Sequence, residues 1–264
     1  MSEPGEYVPY PRPSLIPRRR PSVFEVCAEV WRLLRSRWQF WLKVTALAFA
    51  ATAFCFIVTQ LLRSLFGLGS QLHEPRFVFY GFSWVLVEAL SGLVYFTVNY
   101  PLYGGVDAAA TRQVRTGGLS QRDLVAALPV FWKVVLLGFL SDALVLLIVF
   151  LIAPYVDIQG RVGDQVLYGL AYLAILPLFA SQYFIVVYRT GIVRAVDMSL
   201  RVFLANFVTV SLVFGTLSVA SSLASLTYIG QTALWVPYSL STAFVVLRYM
   251  QMTPDSITSP ELFE

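Results

Sequence analysis

VFWKVVLLGFLSDALVLLIVFLIA, residues 130–153, decides the fold class. Apart from Lys133, Ser141 and Asp142 it holds only apolar side chains and one glycine. The hydrocarbon core of a bilayer takes about 20 apolar residues of helix, so this run is long enough to cross it. Working outward, five more runs of comparable length appear at 40–62, 77–100, 165–188, 203–226 and 228–250. The sequence therefore predicts an all-α membrane protein with six transmembrane helices.

Composition agrees. The chain has 264 residues, of which 58% are hydrophobic and 13% charged. Its mean hydropathy is +0.70. Soluble domains carry about 25% charged residues, and half that number does not cover a soluble surface. This excludes a soluble globular enzyme, a disordered chain and a disulfide-stapled secreted domain. The net charge of +4 is no nucleic-acid signal, because the charges sit in short connections between apolar runs. Cys27 and Cys55 lie in no pairing or metal motif and read as free thiols. The first apolar run begins only near Phe40 and is long enough to span, so the amino terminus does not read as a signal peptide.

Lysine and arginine set the expected orientation. Sixteen of the nineteen fall before or at the start of the first run, between the second run and the start of the third, between the fourth and fifth, or at the end of the sixth. Arg63, Arg76 and Arg161 are on the other side. Positive charge favours the cytoplasm, which places both termini there and predicts a multi-pass protein of a cytoplasmic membrane.

Three stretches on that side read as amphipathic helices that each run into a span: from Pro21, from Leu119 and from Gly191. The expected unit is an interfacial helix followed by a hairpin of two spans, repeated over 21–103, 119–188 and 191–250. Aligning Phe40-Trp41 with Phe131-Trp132 and Asn206-Phe207 also aligns Val44, Val135 and Val210. In the first interfacial helix Ser22 is an N-cap, with Glu25 completing a capping box. Val23, Cys27, Trp31, Leu34 and Trp38 form its apolar face, and in the third Val193, Val196, Leu200 and Phe203 do so. Such helices lie in the headgroup plane with the apolar side down. Trp31, Trp38, Trp41 and Trp132 are the expected interfacial anchors, since indole combines an apolar body with one N–H. Gly104-Gly105 and Gly117-Gly118 read as helix-ending signals.

Residues 1–20 are rich in proline and tyrosine and end in Arg18, Arg19 and Arg20. They read as an extended arm whose arginines touch anionic lipid headgroups or dock on a partner subunit. Residues 251–264 form a short acidic tail.

Two acidic residues fall mid-run, Glu88 and Asp142. An acidic side chain at the bilayer centre costs ~2.5–3.5 kcal/mol on insertion scales, and no Lys or Arg stands at matching depth. Protonation with a hydrogen bond to Ser141, Ser91 or a helix carbonyl is the low-cost state. They are candidates for a proton- or cation-linked site, for interhelical glue, or for pairing with a partner's basic residue. Pro177 and Pro237 should kink their runs. Small residues around Gly215, Ser218 and Ser221 read as a packing face. Gln60, Asn99, Gln182, Asn206 and Gln231 lie toward run ends, where water reaches them.

Soluble catalytic chemistry is missing. His73 is the single histidine, which excludes a two-histidine zinc helix and argues against a catalytic triad. A b-type haem would want two histidines, and no phosphate-cradling glycine motif appears. No enzyme activity, metal or cofactor is expected.

The stretch PLFASQYFIVVYRTGIVRAVDMSLRVFLANF, residues 177–207, carries a resemblance. A span leads to a short helix with Ala195 and Ser199, then Asn206-Phe207 opens the next span. It is similar to six-span bacterial proteins grouped with the membrane domain of glycerophosphodiester phosphodiesterases and with YciC-like proteins. The resemblance implies a bacterial inner-membrane location. It does not carry the phosphodiesterase activity, because that family's catalytic domain has no counterpart here. The function expected first is a non-catalytic subunit that scaffolds a larger membrane complex with other membrane subunits. The alternative is a small proton- or cation-linked transporter using Glu88 and Asp142. A third reading is lipid handling at the cytoplasmic leaflet.

Overall fold

The computed structural model describes residues 20–66, 82–152, 161–224 and 230–252. Among the described residues the chain is helical, with no strand. The α-helices are α1 (Val23–Ser36), α2 (Trp38–Leu65), α3 (Phe82–Thr116), α4 (Phe131–Ile152), α5 (Arg161–Ala174), α6 (Ser181–Tyr188), α7 (Ile192–Ala205), α8 (Phe207–Ala224) and α9 (Gly230–Met252). Two helical segments, Trp38–Leu65 and Gln121–Ile152, are long and apolar enough to cross a membrane. A third arises if the bent pair α7 and α8 is counted as one span. The side chains on their outward faces fit that reading. Leu47, Phe54 and Leu61 on α2, Leu140, Leu147 and Phe150 on α4, and Leu212 and Val219 on α8 are all exposed. Exposed apolar faces this continuous are lipid-facing or interface surfaces.

α1 begins as its sequence predicts, with Ser22 Oγ accepting from Glu25 N at 3.2 Å. The Glu25 carboxylate, however, reaches across to Arg248 of α9. Of the wide apolar arc of α1, Val26, Val30 and Leu33 are buried against the protein, while Phe24, Cys27 and Trp31 face outward. α7 divides its arc in the same way. Ala195, Met198 and Val202 are buried, whereas Val193, Leu200 and Leu204 are exposed. The predicted stripes therefore straddle the boundary: Val23, Leu34, Val196 and Phe203 are half-buried against the core, while Cys27, Trp31, Trp38, Val193 and Leu200 are exposed.

The breaks after α1 and α7 are near copies. Arg37 has φ −137°, ψ 35°, and Asn206 has φ −123°, ψ 29°. α7 and α8 meet at 106°. Matching these breaks corrects the alignment by three residues, close to one turn, so that Trp38, Trp132 and Phe207 correspond. They are 58, 73 and 55% exposed. Trp41, Val135 and Val210, one turn on, are 2, 6 and 0% exposed. The sequence alignment slipped because residues three or four apart occupy nearly the same helical face.

The second interfacial helix is a correction. Residues Gln121–Val125 and Leu128–Val130 are 3₁₀ turns that continue into α4. Ser120 caps the first through Arg122 N at 3.2 Å, and Pro129 sits in the first turn of the second. α3 explains the change, because it does not stop at Tyr100 but runs on to Thr116. Gly104 and Gly105 lie inside it rather than ending it. A Cβ on Gly105 would overlap the Leu124 carbonyl, and one on Gly104 would stand 2.8 Å from Val186. The pair lets the 3₁₀ backbone press onto α3. Gly117, at φ +69°, is the glycine that ends the helix.

The run 165–188 is likewise interrupted rather than merely kinked. α5 stops at Ala174, a 3₁₀ turn covers Leu176–Leu178, and α6 restarts at Ser181. Ser199 of α7 bridges the gap, donating to Pro177 O at 2.8 Å and accepting from Ala180 N at 3.0 Å. α9 runs through Pro237 as one helix.

α3 is the central element, touching α2, α4, α6 and α9. α2 packs on α3, α4 on α5, and α8 on α9, while α1 lies across α8 and α9. The main core lies where α1 and α7 meet the starts of α2, α4 and α8 and the ends of α3, α6 and α9. A smaller cluster of Val145, Val149, Leu167 and Ala171 holds the opposite end of α4 to α5.

Candidate functional site

A cavity of ≈ 190 Å³ lies among α3, α4, α8, α9 and the α5–α6 break. Each element supplies polar or aromatic side chains at its own period. α3 gives Tyr95, Tyr100 and Asp107; α4 gives Ser141 and Asp142; α5 gives Tyr172 and α6 Gln182. Ser218 and Ser221 come from α8, and Trp235 and Tyr238, one turn apart, from α9. Leu137, Ile175, Phe179 and Leu217 are among the apolar side chains in the same wall. Among the described residues that line it, none is a lysine or arginine.

The geometry is specific. The Tyr100 hydroxyl stands beside the Asp142 carboxyl. Gly138, one turn before Asp142, makes room for that ring: a Cβ there would lie 2.5 Å from Tyr100 Cε1. Asp107 lies two turns beyond Tyr100 on α3 and is buried, with Ser239 of α9 beside its carboxyl. Tyr103 stacks on Trp235 with centroids 4.0 Å apart, and Trp235 meets Tyr238 edge-on at 5.6 Å. Gln182 Nε2 donates to Tyr100 O at 3.4 Å, and Tyr238 OH to Phe179 O at 3.4 Å, which places one hydroxyl against the broken helix.

Of the predicted intramembrane residues, Asp142 and Ser141 meet in this cavity. Ser91 is buried in α3 but does not line it. Glu88 falls within α3, and its side chain lies outside the described residues, as does His73. Asp107 and the tyrosines were missed. Asp107 stands beyond the apolar run that ends at Tyr100, and tyrosine is too common in membrane helices to be a signal. The α5–α6 break was foreshadowed only by Pro177.

The other predicted positions divide. Trp31, Trp38 and Trp132 are exposed. Trp41 is corrected: it is buried, and its Nε1 donates to Gln113 Oε1 at 2.9 Å. Gln113 Nε2 in turn donates to Leu33 O at 2.8 Å, so the indole is part of a lock between α1, α2 and α3. Asn99 is also corrected, since it is buried between helices, accepting from Thr52 at 3.2 Å and donating to Cys55 Sγ at 3.3 Å. Asn206 is buried too, with Nδ2 donating to Val202 O at 3.0 Å. Cys27 and Cys55 are free thiols. Arg20 is exposed, while Arg18 and Arg19 and the tail from Thr253 lie outside the described residues. On the arginine-rich side, Arg112 Nε donates to Asp123 Oδ1 at 3.0 Å.

Fold and cavity together define a helical protein with two or three helices apolar enough for a membrane and an acidic, aromatic cavity between its helices. Comparison with protein-family models, curated proteins and solved structures finds no match.

Proposed function

We propose that this chain is a six-span protein of the bacterial inner membrane that carries a small solute in a proton- or cation-linked way. The three packed pairs α2–α3, α4–α5 and α8–α9 support three hairpins, with α5, the 3₁₀ turn and α6 together forming the fourth span. The arginine-rich connections and both termini then face the cytoplasm.

The cavity around Asp142 carries the reading. Ionisable groups are expensive in lipid and mark ion or substrate paths. Irregular backbone at membrane depth is tolerated only where it is buried in protein or lines a cavity. The α5–α6 break does so here, with Ile175 and Phe179 in the wall. Interrupted helices beside a binding site are a recurrent feature of carriers. Asp142, beside the Tyr100 hydroxyl and facing open space, is a group able to exchange a proton as a solute enters. Glu88 remains the second acidic candidate of this proposal.

Proteoliposomes carrying a pH-sensitive dye test this. Solute-driven proton movement should be lost in Asp142→Asn with the unfolding temperature retained. Unaltered proton movement in that variant removes the reading.

The second reading is a scaffold subunit of a larger membrane complex. Phe24 and Val193, both almost fully exposed on the outward halves of α1 and α7, favour it, because such ridges suit either lipid headgroups or another subunit. Extraction in mild detergent followed by mass determination separates the two: stoichiometric partner chains speak for the scaffold.

A further inference from the structure

We infer that the cavity is a binding site for a small organic cation, an alkylammonium or quaternary ammonium group of about the size of benzene. The inference rests on the carrier reading of the cavity and names the class of its solute.

Four observations lead there. The first is charge: two carboxyls, Asp107 and Asp142, line the space, and no described basic side chain does so. Asp107 is 5% exposed and has no ionic partner among the described residues, while Ser239 Oγ adjoins it without closing a hydrogen bond of good geometry. A buried carboxyl facing open space is costly to ionise, and an entering cation relieves that cost.

The second is the wall. Tyr100, Tyr172, Trp235 and Tyr238 bring aromatic rings to the same space, and rings around a cavity are the general means of holding ammonium groups. The third is size. Engineered apolar cavities of about 150 Å³ take a molecule as large as benzene, so ≈ 190 Å³ holds one small organic molecule.

The fourth observation argues against a metal ion. Hard cations take about six oxygen ligands in close array. Among the described residues no three His, Cys, Asp or Glu side chains cluster, and the two carboxyls come from different helices, Asp107 from α3 and Asp142 from α4. A cavity walled in this way suits an ammonium head that meets one carboxyl while its body lies on the rings.

Calorimetric titration of the full chain in lipid nanodiscs tests the inference, using choline, tetramethylammonium, sodium chloride and 3,3-dimethyl-1-butanol. The last has the shape of choline without its charge. Choline and tetramethylammonium should bind, with the neutral alcohol at least about tenfold weaker and sodium not competing. Asp107→Asn and Asp142→Asn should each weaken choline by about tenfold or more, and Trp235→Leu by several-fold. Equal binding of the neutral alcohol, displacement of choline by equimolar sodium, or absence of choline binding overturns it. So does native affinity in both Asp variants. If those variants do not fold, the alcohol comparison and Trp235→Leu decide. Flux is read separately in proteoliposomes. Choline that binds but does not cross overturns the carrier reading alone, and proton-linked passage of a neutral solute without choline binding overturns the cation alone.

Discussion

Ser199 is the residue through which a broken helix is held. Its hydroxyl meets both the Pro177 carbonyl and the Ala180 amide, two backbone groups that the α5–α6 break takes out of helical pairing. Removing one partner from such a buried set leaves polar groups without compensation, at ~1–3 kcal/mol. Ser199→Ala should therefore lower the unfolding temperature in detergent by several degrees. Leu200→Ser, at the exposed position next along the chain, should leave it nearly unchanged. An unchanged temperature in Ser199→Ala would show that water or a shifted backbone takes over. The sequence placed Ser199 in a motif by resemblance, and only the structure shows what its oxygen does.

At the scale of elements, α1 and α7 are the pieces whose pattern was read best and oriented least. Both were legible as amphipathic, because apolar side chains recur at helical spacing in PSVFEVCAEVWRLLRS and GIVRAVDMSLRVFLA. A periodicity shows that an apolar arc exists but not which part of it meets protein. The arc is wide enough in each helix to be shared, with Val26 and Val202 inward and Phe24 and Val193 outward. If the outward halves lie in the headgroup region, a fluorophore on Phe24→Cys or Val193→Cys should be quenched by shallow lipid-attached quenchers, whereas one on Arg32→Cys should be quenched by aqueous iodide. Aqueous quenching at all three positions would take α1 and α7 off the membrane. The second such segment was misread because the 3₁₀ form depends on Gly105, which stands sixteen residues upstream of Gln121 and bears no local sign of the contact.

Across the whole molecule, distant segments are tied at the arginine-rich end. Glu25 of α1 pairs with Arg248 of α9, and Thr209 of α8 donates to Pro21 O at 2.7 Å. Arg248 also lies over the Phe244 ring, 5.2 Å from its centroid. Both ends of this ion pair are largely buried. Breaking a buried pair from one side costs ~3–5 kcal/mol, because the remaining charge is left in a poor dielectric. Arg248→Met should be strongly destabilising in thermal unfolding, and Glu25→Leu added to it should restore much of the loss. A double variant no better than the single one would mean that Arg248 acts through its other contacts instead.

The order of residues by itself determined the class of the molecule: helices, apolar runs long enough for a membrane, and the cap at Ser22. These follow from local periodicity, run length and transfer energies, which need no knowledge of neighbours. Only the tertiary structure decided which side chains share the cavity, that Trp41 and Asn99 face inward, and that the chain breaks between α5 and α6. Those outcomes depend on which helix lies against which, and a contact between Asp142 and Tyr100, or Ser199 and Pro177, exists only once separate helices have packed.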